Sequence, residues 1–324
     1  PEIHTWENAH SAIKAIDKGL GRLWDEELTE VQKKQKEVEL HFFRALLYFE
    51  LFRTYGYALY KGDEYQSPCP SNQIFTEIMN GAKIASDCLP QSYDETDRII
   101  TLDEGVEVTR PTQWAAKALF ARACLYAASP LFKISAYNEA LQYSEAVVKG
   151  SQFDLEPKYS DLWGINAFDN KELIFGVRLA SNDAYKGIHP TEHLYKNFES
   201  GDVRLEPTIG KTDTGFNLNK PVDHIIPIFR YADILLIYVE SKLLVGDTAY
   251  ANDGLNKLRH RAGLSDVEAT MDLIEKERMT ELAFEGHRFW DVRRLKEGSK
   301  FFTTIDNISR TWDDKYNFYP VPQN

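Results

Sequence analysis

Residues 29–55 carry two apolar stripes at helical spacing, Val38, Phe42, Ala45, Phe49 and Phe52 on one and Leu40, Phe43, Leu47 and Leu51 on the other. An ordinary surface helix buries a single stripe and turns a polar face to water. Two stripes require neighbours on both sides, which is what stacked helical hairpins supply. Gly56 stands where a left-handed stop is needed. The chain is therefore expected to be mostly α, with this helix wedged between others.

Further helices follow the same logic. Asn72–Cys88 reads as a helix ended by Pro90, and Pro111–Ser129 as another, with Pro111 in a first-turn position and Pro130 closing it. Alanines at 115, 116, 118, 121, 123, 127 and 128 let a partner helix approach closely. Tyr137–Lys149 ends at Gly150, so 111–150 has roughly the length of one tetratricopeptide (TPR) unit. Ile228–Val245 and Ala251–Ala262 repeat the arrangement, with Gly246 and Gly263 at the stops. TPR-like pairs are thus expected within 8–56, 72–150 and 226–296 of one domain, 1–324. Segments 57–71, 151–225 and 297–324 read as irregular, apart from a strand candidate at Leu173–Leu179. A long irregular stretch inside a helical array usually carries function.

The charge balance narrows the partners. A net charge of −12 argues against nucleic acid, which needs clustered Lys and Arg. Cys69, Cys88 and Cys124 lack the spacing of a zinc knuckle or a disulfide framework. His189 and His193 flank Glu192, but Pro190 breaks the helix that would align them, so no metal is expected. No nucleotide loop or nucleophile elbow appears, and no cofactor is expected. No apolar run is long enough to span a bilayer. The sequence starts at Pro1 without a signal peptide, so any export or lipid-anchoring signal is expected upstream.

The charges of ERMTELAFEGHRFWDVRRLK (277–296) suggest an active site at first sight. Read as a helix, however, Met271, Ile274, Leu282, Phe289 and Val292 form an apolar stripe, with Arg278 and Glu285 on or beside it. The pairs Arg278–Glu281, Glu285–Arg288 and Asp291–Arg294 are three apart with opposite sign, the spacing of helix-surface pairing, and Gly286 marks a bend or division. A paired structural ion network is expected here, and no catalytic residue.

The same segment resembles the C-terminal hallmark of the SusD/RagB family, and other motifs follow in that family's order. These are KEVELHFFRALLYFELFRTYG (36–56), RPTQWAAKALFARACLYA (110–127), YNEALQYSEAVVKGSQFDLEPKYSDLW (137–163), KELIFGVR (171–178), IPIFRYADILLIYVES (226–241), LNKLRHRAGL (255–264) and FYPVPQN (318–324). The resemblance spans nearly the whole chain, which is shorter than is usual for the family. It implies about four TPR-like helix pairs in an α–α superhelix, carrying an irregular ligand-binding portion. It also implies an outward-facing outer-membrane lipoprotein, held by an N-terminal lipid anchor absent from this sequence. The expected partner is a SusC-like TonB-dependent transporter. Family members capture glycans, less often peptides, and are not catalysts.

Family motifs do not carry ligand residues, because those lie in variable loops. Sugar faces stack on aromatic rings while their hydroxyls need polar partners. On composition the candidates are Trp163, Tyr185, Tyr195, Phe198 and Trp312, with Asn166, Asn182 and Arg204 as polar neighbours. Trp163 is the weakest, since it falls in a stretch resembling the family scaffold. Three rivals to glycan capture stand beside it: peptide capture, a TPR-like protein scaffold, and a glycan-cleaving enzyme with two carboxylates across a cleft.

Overall fold

The computed structural model describes residues 2–25, 27–59, 68–102, 105–163, 169–178, 188–213, 215–219, 225–301, 304–305, 308–309 and 311–321. In chain order the elements are α1 (Glu2–Arg22), α2 (Glu30–Tyr55), β1 (Ala58–Leu59), β2 (Pro68–Cys69), α3 (Ser71–Cys88), β3 (Ile99–Thr101), β4 (Glu107–Thr109), α4 (Gln113–Ala128), α5 (Tyr137–Val148) and β5 (Leu173–Arg178). They continue with α6 (Glu192–Asn197), α7 (Leu205–Thr208), β6 (Ile209–Thr212), β7 (Gly215–Leu218), β8 (Ile225–Arg230), α8 (Tyr231–Leu244) and α9 (Thr248–Arg261). The last are α10 (Met271–Glu281), α11 (Arg288–Arg294), α12 (Gly298–Phe301), β9 (Thr304–Ile305) and β10 (Ile308–Ser309). The fold is mostly helical, as the sequence predicts, and also carries small antiparallel sheets. Two compact units emerge: Pro1–Gln91 with Pro111–Ala136 and Trp290–Asn324, and Ser92–Arg110 with Tyr137–Phe289.

In the first unit α2 packs against α1, α3 and α4. Its first stripe, Val38, Phe42, Ala45, Phe49 and Phe52, is buried throughout, whereas Leu40, Phe43 and Leu47 of the second are half-buried and Leu51 is buried. Thr29 and Gln32 form a reciprocal capping box at its start, and Gly56 ends it in the left-handed region at φ 76°. The Phe318 ring lies against Gly56 so closely that a Cβ would meet it at 2.8 Å. The alanine-rich α4 is buried from Ala115 to Ala127 except at the half-buried Lys117, and packs on α3 and α2. Its N-cap is Thr112, whose hydroxyl accepts from the Ala115 N–H, so Pro111 precedes the cap rather than occupying the first turn.

In the second unit α8 is buried on every side from Tyr231 to Lys242, against α5, α9 and α10. The helix predicted from Ile228 begins only at Tyr231, because Ile225–Arg230 pair with β5 in the antiparallel sheet β3-β4-β5-β8. A short apolar run does not by itself distinguish strand from helix. Pro227 is tolerated because β8 is an edge strand. The strand predicted at 173–179 is found at Leu173–Arg178, and residue 179 lies outside the described residues. The stretch read as irregular also holds the β6–β7 hairpin and two short helices, α6 and α7. The unit predicted over 111–150 divides: α4 packs in the first unit, and α5 packs on α8 in the second.

Glycines set the closest helix approaches. A Cβ on Gly81 of α3 would meet the His41 carbonyl oxygen of α2 at 2.9 Å, and one on Gly254 of α9 would meet Val239 of α8 at 2.6 Å. Gly21 near the end of α1 has nothing within 4 Å. Gly81→Leu should therefore destabilise by roughly 1–3 kcal/mol through overpacking. Gly21→Ala should stabilise by roughly 0.4–1 kcal/mol, since alanine has less unfolded-chain freedom to lose. Urea denaturation of both variants checks the opposite signs.

Candidate functional site

The hallmark segment is two helices joined by a tight turn. Thr270 caps α10, which ends at Glu281. Phe284 and Gly286 then adopt left-handed backbone at φ 62° and 79°, and α11 starts at Arg288. Ile274, Leu282 and Val292 are buried as predicted, while Met271 and Phe289 are half-buried.

The turn brings Glu281 and Glu285 into a buried charge cluster in the second unit. Glu281, at 0% exposure, receives Arg204 at 2.9 Å on one oxygen, and Arg230 at 2.8 Å together with Arg261 on the other. Glu172 bridges Arg230 and Arg261 at 2.9 and 2.8 Å. Glu285 takes Arg230 in a two-pronged contact at 2.6 and 3.0 Å. Arg204 also holds Asp202 at 2.8 Å and Glu277. Burial works to raise Glu281, but Arg261, Arg230 and Arg204 outweigh it and hold its carboxyl well below the usual range. Burial prevails at Glu172 and Glu277, whose carboxyls are pushed up. Both Glu281 oxygens accept hydrogen bonds from guanidinium groups.

The ion network predicted from spacing is present with different partners. Asp291–Arg294 forms as predicted at 2.8 Å. Arg278 meets Asp233 at 3.3 Å, Glu285 meets Arg230, and Arg288 approaches Glu275 at 4.0 Å. The physical reason is the turn. With α10 ending at Glu281, residues 285 and 288 do not share the helical surface that an i,i+3 contact requires.

The ligand candidates scatter. Tyr185, Asn166 and Asn182 lie outside the described residues. Arg204, expected beside a ligand, is 1% exposed with its guanidinium engaged by carboxylates; the sequence offered no signal for those distant partners. Phe198 is buried at 8% exposure. Trp163 is half-buried, edge-on to Tyr159 at 5.9 Å, and lines a narrow pocket with Asn170 and Arg230. Tyr195 lies against Phe216 at 4.7 Å and 31°, with the Lys211 ammonium 6.0 Å from its ring. In the first unit Trp312 meets Tyr316 at 5.7 Å and 64°. Its neighbour Tyr316, which composition does not single out, is 50% exposed.

A cleft of about 530 Å³ in the second unit is lined by Pro157, Lys158, Tyr159, Val203, Pro207 and Arg261, among others. Tyr159 is only 2% exposed, so its ring offers no stacking face there. Among the described residues no group of three His, Cys, Asp or Glu side chains could hold a metal ion. His189 precedes Thr191, the cap of α6, so it does not share a helix with His193. No helix among the described residues is long and apolar enough to cross a membrane.

These features have counterparts. Residues 219–324 match the SusD family. Two proteins of Formosa agariphila are similar in sequence. SusD-like protein P38 is 25% identical over 122 residues, 33% of this chain and 22% of that protein. SusD-like protein P2 is 22% identical over 351 residues, 82% of this chain and 66% of that protein. The chain thus spans less than two thirds of the length of these relatives. A SusD-like protein from Bacteroides fragilis superposes with a TM-score of 0.84 at 24% identity, covering 98% of this chain and 83% of its own. Surface glycan-binding protein A from Bacteroides thetaiotaomicron, in complex with laminarihexaose, superposes at 0.82 with 20% identity, covering 98% and 82%. Residues 219–324 are thus similar in sequence to the SusD family, and the chain as a whole shares the fold of these solved proteins.

The charge contacts have a measurable pH signature at Glu199. The Arg259 fork at 2.9 and 3.1 Å, joined by Lys276 at 3.0 Å, holds its carboxyl at about 2, against an ordinary 4.5. A depressed acid contributes stability that is complete above its unfolded pKa and lost as pH falls towards the folded one. The urea midpoint of Glu199→Gln should therefore lie below wild type above pH 4.5, and the gap should close between 4.5 and about 2. A gap that stays constant across that window would show that Glu199 is not held as described.

Proposed function

We propose that the chain captures glycan at the cell surface and passes it to a SusC-like TonB-dependent transporter, without catalysing a reaction. The observation that carries this reading is the fold shared, over 98% of the chain, with a surface glycan-binding protein solved in complex with laminarihexaose. Two features of the chain itself support it. The carboxylates of the hallmark segment are engaged by guanidinium groups, which leaves them as scaffold rather than as an acid–base pair. Rings at Trp312 and Tyr316 stand partly open beside carboxylates, a combination suited to sugar faces and hydroxyls. Outward-facing attachment to the outer membrane, through a lipid on the mature N-terminus of the whole protein, belongs to the same proposal.

A glycan array with purified protein, followed by calorimetry on each hit, tests the reading. Binding to one or a few related glycans, with no new reducing ends released on long incubation, is the expected result. Failure of plant, host and microbial glycans alike while peptides bind would overturn it in favour of peptide capture.

A further inference from the structure

The aromatic corner in the first unit goes beyond fold similarity, because its rings are held in place by features independent of any ligand. Asp313 opens a one-turn 3-10 helix, Asp314–Asn317, and its side chain accepts from the Lys315 N–H at 2.9 Å. Asn317 donates to Asp314 at 3.1 Å within the same turn. The turn fixes Tyr316 against Trp312, ring centroids 5.7 Å apart and planes at 64°. The indole lies on Gly298 at the start of α12, where a Cβ would fall 2.1–2.6 Å from three of its atoms. Only a glycine at 298 admits the ring in this position.

We propose that Trp312 and Tyr316 form a stacking subsite for a neutral pyranose ring of the captured glycan, with Asp313 and Asp314 accepting from its hydroxyls; this rests on the glycan-capture reading. Rings meeting at an angle leave a corner in which a sugar can lie on one and touch the edge of the other. Asp313 and Asp314 are exposed beside it. Lys315 stands 3.2 Å from Asp313 and Lys296 3.5 Å from Asp314, so each carboxylate is balanced by a lysine. That balance favours an uncharged sugar over a uronic or sulfated one. Other sites fit less well. Tyr195 and Phe216 cover each other at 4.7 Å and 31°, and Tyr159 in the cleft is buried.

The test uses the whole chain and a panel of laminarihexaose, cellohexaose, maltohexaose, mannohexaose and xylohexaose, with hexagalacturonic acid as the charged comparison. Binding is read by calorimetry, and the Trp312 indole N–H is followed by NMR after assignment with Trp312→Phe. The expected result is binding of a neutral hexasaccharide with a shift of the Trp312 signal. Trp312→Ala and Gly298→Ala should each weaken binding at least tenfold, and Trp312→Phe should retain part of it. Circular dichroism and thermal melts confirm that each variant is folded. Trp312→Tyr replaces any variant that is not, with the same partial retention expected. Neutral-glycan binding with the Trp312 signal unmoved and Trp312→Ala unchanged would overturn the subsite and leave glycan capture standing. Binding of the galacturonic probe alone would overturn the neutral-sugar assignment. Binding of nothing in the panel or on the broader array would overturn both.

Discussion

Glu281 is a carboxylate at 0% exposure, and an isolated charge in that position would cost several kcal/mol after relaxation. It is tolerated because Arg204, Arg230 and Arg261 converge on it from separate parts of the chain. Arg230 ends β8, Arg261 ends α9, and Arg204 precedes α7. Glu172, just before β5, closes the arrangement by holding two of the same guanidinium groups. The second unit is therefore braced through one anion that joins sheet, helices and loop. Removing a member would take a counter-charge from each of its buried partners, which ties the charged residues at 172, 204, 230, 261 and 281 to one another.

The hallmark segment serves both units in different ways. Its α10 half and the turn feed the buried carboxylates of the second unit. Its last residues work in the first, where Arg294 pairs with Asp291 and the Arg293 guanidinium stacks near Trp290, Phe318 and Tyr319. Burial pulls Arg293 down to about 10. A segment with two structural duties of this kind can mark a family without touching a ligand. The half-buried Trp312 and the exposed Tyr316 lie elsewhere, about a turn capped by Asp313, with the indole seated on Gly298.

What the sequence made legible follows from the range of the forces involved. Helix α2 was readable because its stripes, its cap and its stop are all local signals. The same holds for α3, α5 and α9, each found within a few residues of its predicted span. Residues 228–230 read as helix in the sequence because Ile-Phe-Arg next to a long apolar helix carries no local mark of strand; pairing with β5 makes them strand. Spacing also suggested i,i+3 partners for Glu281 and Glu285, whereas their guanidinium partners lie 20 to 77 residues away. The exposure of Tyr316 is not legible in the sequence for a related reason, since it depends on packing that composition does not report. Trp312 stands out as a candidate because a tryptophan in an irregular stretch is conspicuous, yet the glycine that seats its ring lies 14 residues upstream and carries no mark of that in the sequence.

The central claim is that the Glu281 cluster is a coupled structural brace, and a double-mutant cycle tests it most directly. Arg204→Met, Glu281→Met and the double variant would be compared by urea denaturation. Each single change takes a counter-charge from buried partners and should cost roughly 3–5 kcal/mol, while the double change should cost well below the sum. Glycan affinity of any variant that remains folded should stay at the wild-type value. Small additive losses of stability, or a selective loss of glycan binding from a stable variant, would contradict the account.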